Sequence, residues 1–175
     1  KFGSRAIRAP VMTLARRTLL LTCLALCGCL EPTQVTFKIT TDIPCDKISA
    51  VAITAGLEGE TEKADPVTVI KSCTSDGSVG AIGTYAVSPR VTGNVQASFK
   101  AVVGVGDSID VESDCVPSKG YRGCVVVRRR INFVPHRSLV VPVELFLVCK
   151  DVQCDQNSSC NRAGRCASSL IDPAS

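Results

Sequence analysis

The chain has 175 residues, with 20 Lys+Arg, 16 Asp+Glu, 11 cysteines, no tryptophan and a formal net charge of +4. The first 28 residues hold five of the basic residues and no acidic one, so the other 147 residues carry 15 basic and 16 acidic side chains. That near-neutral remainder suits one domain with a modest core. It lacks the basic footprint of nucleic-acid binding, and we expect no nucleic-acid partner.

The N-terminal segment has the pattern of an export signal. Arg16 and Arg17 precede an apolar run of ten residues, 18–27, and the small residue Gly28 follows it. The run is too short for a membrane span, which needs about 20 apolar residues. Because Met12 is the only methionine, we interpret residues 1–11 as upstream sequence absent from the natural protein and residues 12–28 as a signal peptide.

The end of this segment, Leu26-Cys27-Gly28-Cys29, resembles a bacterial lipobox. Leu26 and Gly28 match that family's pattern, and Cys27 departs from it. The resemblance implies cleavage before Cys29, a diacylglycerol on its thiol and attachment to a membrane. Leu30 follows in place of Asp, which in the enterobacterial sorting pattern implies delivery to the outer membrane. Lipidation at Cys27 and an ordinary cleaved signal peptide are the alternatives.

Eight cysteines follow Cys29. An even number in an exported chain is typical of a disulfide framework, and we expect disulfides in an oxidising compartment. Eight cysteines allow 105 pairings, so the count alone leaves the connectivity open. The eight are Cys45, Cys73, Cys115, Cys124, Cys149, Cys154, Cys160 and Cys166.

After a tether at 29–34, the chain alternates apolar and polar residues in short segments separated by turn signals. Val35, Phe37 and Ile39, for example, share one face of a predicted strand. This pattern predicts an all-β fold, a small antiparallel β-sandwich at 35–148. It is immunoglobulin-like only loosely, because the chain has no tryptophan. The seven predicted strands are 35–40, 48–54, 66–71, 81–87, 95–105, 123–133 and 138–148.

The composition changes at residue 149, where almost no apolar residues remain to form a core. The segment 149–166, CKDVQCDQNSSCNRAGRC, resembles a fragment of an epidermal-growth-factor-like module. That resemblance implies the disulfides Cys149–Cys160 and Cys154–Cys166. With the leader, the segment also resembles uncharacterised myxobacterial lipoproteins that have a cysteine-rich C-terminal tail. A zinc site is the alternative, but gaps of four and five residues suit it poorly. Residues 167–175 are expected to be flexible.

Two further cysteine pairs lie in the predicted sandwich. Cys115 and Cys124 flank the turn VPSKGYRG, and a disulfide between them would close the base of a hairpin loop. Cys45 and Cys73 are then left as the remaining pair, which would tie neighbouring strands.

Charged clusters supply the other candidates for function. Arg128 and Arg130 share one face of a predicted strand. They are either a charged strand that discourages edge pairing or a contact for anionic polysaccharide or lipid headgroups. The acidic loop at 107–114 is a solvated loop or, less simply, a calcium site. His136, the only histidine, lies in a turn and has no nucleophile motif beside it.

From these observations we expect a lipid-anchored lipoprotein of the bacterial envelope with a structural, adhesion or binding role. The implied partners are the membrane, through the lipid, and an envelope protein or polysaccharide. We predict no catalytic residues, no metal and no cofactor. The alternative is an envelope enzyme or an accessory subunit of one, for which a pocket of titratable groups near His136 or the acidic loop would be the sign.

Overall fold

The computed structural model describes residues 31–77, 79–89 and 95–173. The signal peptide, the lipobox and Cys29 lie outside the described residues. Within them the chain forms eleven strands, and the all-β prediction is confirmed. The strands are β1 Gln34–Thr41, β2 Ile48–Leu57, β3 Thr68–Ile70, β4 Thr74–Asp76, β5 Val79–Val87, β6 Gln96–Val105, β7 Cys124–Asn132, β8 Ser138–Leu145, β9 Ser158–Cys160, β10 Cys166–Ser168 and β11 Leu170–Ile171.

Three single-turn 3-10 helices interrupt the strands. They span Cys45–Lys47, Pro117–Lys119 and Leu147–Cys149. The last of them ends β8 three residues before the predicted end of that strand. The backbone N–H of Leu147 donates a hydrogen bond of 2.6 Å to Oδ1 of Asp42, which draws the chain away from the sheet.

The strands form two sheets that face each other. One sheet has the order β4-β5-β1-β8 and the other the order β11-β7-β6-β2-β3, while β9 and β10 form a separate hairpin. Most neighbours are antiparallel, but β1 pairs with β8 in parallel, as β11 does with β7. This differs from the antiparallel sandwich that we expected. The long connections between these partners leave the strand direction free, whereas a tight hairpin would fix it.

The core lies between the sheets. Strand alternation points Val35, Phe37 and Ile39 inward, and all three are buried. The rings of Phe37 and Phe99 stack with their centroids 4.2 Å apart, which joins the centres of β1 and β6.

The larger sheet is covered on its outer face too. Segment 106–123 folds back over β2, β6 and β7, and a second apolar cluster fills this interface. These strands are therefore buried on both faces, which explains the nearly continuous apolar sequence of β6 and β7. The buried members of the cluster are Ala50, Ala52, Val102, Val111, Cys115, Cys124 and Val126.

Four disulfides join all the cysteines of the described residues. The pairs are Cys45–Cys73, Cys115–Cys124, Cys149–Cys160 and Cys154–Cys166, the same four that the sequence analysis named.

The C-terminal segment is ordered further than we expected. Where we expected a flexible end at 167–175, β10 pairs with β9 and β11 joins the edge of the larger sheet. Residues 174–175 lie outside the described residues. Ser169 is fully buried, and its carbonyl accepts a 2.8 Å hydrogen bond from the backbone N–H of Arg130. The disulfide at Cys166 and these backbone hydrogen bonds hold the segment, although it has few apolar side chains.

Candidate functional site

An ion pair between a buried arginine and a partly buried glutamate lies on the outer face of the larger sheet. Arg128 on β7 donates two hydrogen bonds to Glu62, from Nε to Oε1 at 2.6 Å and from Nη2 to Oε2 at 3.1 Å. Such a bidentate geometry is the strongest form of an arginine–carboxylate contact. Tyr121, whose ring lies beside the guanidinium, donates its hydroxyl to Oε2 of Glu62 at 3.3 Å.

Lys100 brings a second cation to this face. The register of β6 and β7 places Lys100 opposite Arg128, and each residue is only 6% exposed. The Lys100 ammonium lies 3.8 Å from Oε2 of Glu62, beyond hydrogen-bond distance. Among the described residues it makes no hydrogen bond. Together, Arg128, Lys100 and Glu62 carry two positive charges and one negative charge.

The surroundings shift the pKa values of these groups. Burial opposes ionisation of Glu62, but the hydrogen bonds and charge of Arg128 outweigh it, so the pKa of Glu62 lies below its ordinary value. Burial, reinforced by Arg128, lowers the pKa of Lys100 against the opposing effect of Glu62. Burial and the charge of Glu62 raise the pKa of Tyr121 to about 12, which keeps its phenol protonated.

A cavity of about 180 Å³ opens beside Lys100. Its inner wall combines the Lys100 and Glu62 side chains with apolar residues of the second cluster. Exposed charged residues stand at its mouth. The apolar wall is Ala52, Val102 and Val111, and the charged residues at the mouth are Lys63, Asp65 and Glu112. A pocket with a few convergent polar groups on an apolar wall is the usual form of a small-ligand site.

The two arginines named in the sequence analysis, Arg128 and Arg130, form contacts within the fold. Arg128 and Arg130 do share a face, but Arg128 is buried on Glu62. Arg130 Nη1 pairs with Oε1 of Glu58 at 2.8 Å, and its Nε donates to Oγ of Ser169 at 3.0 Å. The sequence left two interpretations of these arginines, a charged edge strand and a contact for anionic polysaccharide or lipid headgroups. In the structure β7 lies between β11 and β6, and the loop after β2 and the tail supply the partners of both guanidinium groups.

Of the other candidates from the sequence, Glu112 of the acidic loop lies at the mouth of the cavity, and the rest are not gathered into a site. His136 is exposed in its turn, and its backbone N–H donates to Oγ1 of Thr33 at 2.8 Å. In the acidic loop, Asp110 accepts hydrogen bonds from the loop itself, and Asp114 pairs with Lys119 at 2.7 Å. Among the described residues, no group of three or more His, Cys, Asp or Glu side chains could hold a metal ion.

Sequence reasoning missed Glu62 and Lys100. Lys100 lies on the polar side of the alternation in β6, a position typical of a solvent-facing side chain. The available signal was a second charged residue, Arg128, in a neighbouring strand of similar apolar character. Glu62 gave no local signal, because it lies in a polar loop.

No protein family, curated protein or solved structure was found to match this chain. In the described part of the chain, no helical segment reaches the length and hydropathy that crossing a bilayer requires. The candidate site therefore rests on its own geometry.

Proposed function

We propose that this chain is an exported lipoprotein of the bacterial envelope, anchored through a lipid on Cys29 and acting as a binding or structural module without catalysis. The lipobox resemblance supports the lipid anchor, and the disulfide framework supports an oxidising compartment outside the cytosol. The proposed destination is the outer membrane, because Leu30, and not Asp, follows Cys29.

The disulfide pairing is the observation that carries this proposal. All eight cysteines after Cys29 are used in four disulfides. Disulfides of this kind persist in oxidising compartments and are rare in the cytosol. With those eight thiols paired, Cys29 is the one cysteine after the proposed cleavage point that stays available for a lipid.

The start of β1 is compatible with such an anchor. Oγ1 of Thr33 accepts the hydrogen bond from His136, and the carbonyl of Pro32 accepts one of 3.3 Å from Oγ of Ser138. These contacts tie the chain to the start of β8. An extended chain from Cys29 to Thr33 spans at most about 14 Å. The lipid would therefore hold this end of the sandwich close to the membrane.

The same end of the sandwich carries exposed apolar residues. Leu57 and Val67 are 46% and 50% exposed, and both border a groove of about 560 Å³ that also includes Tyr85 and Phe133. Val87, which borders the groove, pairs with Val35 at the start of β1, and Leu57 pairs with Ala97 at the start of β6. The groove therefore lies at the level where β1 begins. We place this apolar rim at the membrane surface, where its side chains could reach the boundary between headgroups and acyl chains.

Metabolic labelling of the full chain in a Gram-negative host tests the anchor. Cells expressing the chain are fed an alkyne analogue of palmitate, and the membrane and soluble fractions are compared. We expect label in the membrane-bound chain, and loss of label and of membrane retention in Cys29→Ala. Cys27→Ala is the matched control, one residue removed from the proposed cleavage site, and it should keep both.

Two outcomes would contradict this assignment. Label retained in Cys29→Ala and lost in Cys27→Ala would move the lipid to Cys27. A wild-type chain that carries no label and is recovered in the soluble fraction would exclude the lipid anchor.

A further inference from the structure

The buried charges beside the cavity do not balance. Glu62 is already engaged by both nitrogens of Arg128 and by the Tyr121 hydroxyl. Lys100 is therefore the surplus cation, and its ammonium has no hydrogen-bond acceptor within reach among the described residues. No buried side-chain nitrogen or oxygen of the described residues lacks a hydrogen-bond partner, so the Lys100 ammonium is open to the cavity that this residue lines. An anion in the cavity could accept its hydrogen bonds.

The cavity beside Lys100 has the size of a small organic molecule. Its volume is about 180 Å³, and an apolar cavity of about 150 Å³ is large enough to bind benzene. The apolar side chains of Ala52, Val102 and Val111 line the space. A short hydrocarbon chain would therefore find favourable contacts there.

We propose that the cavity binds a small aliphatic monocarboxylate, with its carboxylate on the Lys100 ammonium and its hydrocarbon part on the wall formed by Ala52, Val102 and Val111. The proposal does not depend on lipidation of Cys29.

The charges of the site favour a single negative charge on the ligand. The buried groups leave one uncompensated positive charge. At the mouth, the exposed Asp65 and Glu112 outnumber Lys63, so a second negative charge on a ligand would meet repulsion. A dianionic phosphate also prefers the fork of an arginine, and the fork of Arg128 is already occupied by Glu62.

Calorimetric titration of the full chain in non-ionic detergent micelles with sodium butyrate tests the proposal. We expect saturable binding of butyrate at constant ionic strength, weaker binding of inorganic phosphate and no comparable binding of 1-butanol. Lys100→Met should weaken butyrate binding at least ten-fold. Lys47→Met removes an exposed lysine elsewhere in the sandwich and should leave binding unchanged.

Lysine labelling of the wild-type chain tests the same contact without a variant. The rate of reductive methylation by formaldehyde and a borane reductant is measured for each lysine by peptide mass spectrometry. Butyrate should slow methylation of Lys100 and leave Lys47 unaffected. Equal butyrate affinity in Lys100→Met would overturn the proposal. So would butanol binding as tightly as butyrate, phosphate binding more tightly, or no protection of Lys100 at 100 mM butyrate.

Discussion

Arg128 and Glu62 lie 66 residues apart in the chain, yet the Arg128 guanidinium donates hydrogen bonds of 2.6 and 3.1 Å to the two carboxylate oxygens of Glu62. This contact fastens the loop after β2 to the middle of β7. It also neutralises the charge that would otherwise have balanced Lys100. One ion pair thus closes the outer face of the larger sheet and leaves a cation beside the cavity.

Replacing Glu62 should destabilise the fold strongly. Glu62→Gln leaves the buried Arg128 guanidinium without its counter-charge, and we expect the free energy of unfolding to fall by about 3 kcal/mol. Glu58→Gln is the matched control, because it breaks the pair of Arg130 with a carboxylate that is 55% exposed. That change should cost less than about 1 kcal/mol. Urea denaturation measures both, and equal losses would contradict the role assigned to the Glu62–Arg128 pair.

The Glu62 pair should make stability depend on acid pH. Because the folded state lowers the pKa of Glu62, its contribution is fully present above the ordinary glutamate pKa of about 4.3. It is lost as the pH falls through the lowered value. The stability difference between the wild type and Glu62→Gln should therefore shrink below pH 4. A difference that stays constant from pH 7 to pH 3 would show that Glu62 does not titrate in this way.

Replacing Lys100 should have the opposite effect on stability. Lys100→Met removes the surplus buried charge and keeps a side chain of similar length, so we expect the free energy of unfolding at pH 7 to rise by about 1 kcal/mol. The folded state lowers the pKa of Lys100, so the unfolded chain binds more protons between that value and about 10.4. Wild-type stability should therefore gain from Lys100 across this window, a gain absent from Lys100→Met. A variant less stable than the wild type would show that Lys100 is already satisfied.

The two disulfides of the tail should contribute unequally. They close loops of 11 and 12 residues, so the entropic contribution is about 3 kcal/mol for each. Cys149 and Cys160 are buried in the core, however, whereas Cys166 is exposed. Cys149→Ala/Cys160→Ala should cost about 2 kcal/mol more than Cys154→Ala/Cys166→Ala, because it also leaves a cavity. Thermal unfolding of both double variants checks this, and the reverse order would contradict it.

Much of the sandwich could be predicted from the sequence, because alternation is a local signal. Each of the seven predicted segments overlaps a strand of the structure, and Val35, Phe37 and Ile39 face the core as the pattern indicated. The strands that were missed, β4 and β9 to β11, have two or three residues each. Strands of that length are too short for the alternation of apolar and polar residues to be recognised.

The candidate site was less accessible to sequence reasoning. The Arg128–Arg130 run was noticed, but alternation shows only that the two residues share a face. It does not show whether that face is covered, and here segment 106–123 and the loop containing Glu62 cover it. The contact between Glu62 and Arg128 depends on packing across 66 residues, which no local pattern records. The parallel pairing of β1 with β8 was hidden for the same reason.

Intact mass measurement distinguishes a lipid-anchored, disulfide-bonded chain from an unprocessed one. The full chain is taken from the membrane fraction of its bacterial host, and its thiols are alkylated before and after reduction. We expect a chain that starts at an acylated Cys29, with eight cysteines protected until reduction. A mass that retains the leader, or thiols that alkylate without reduction, would contradict both the proposed compartment and the disulfide framework.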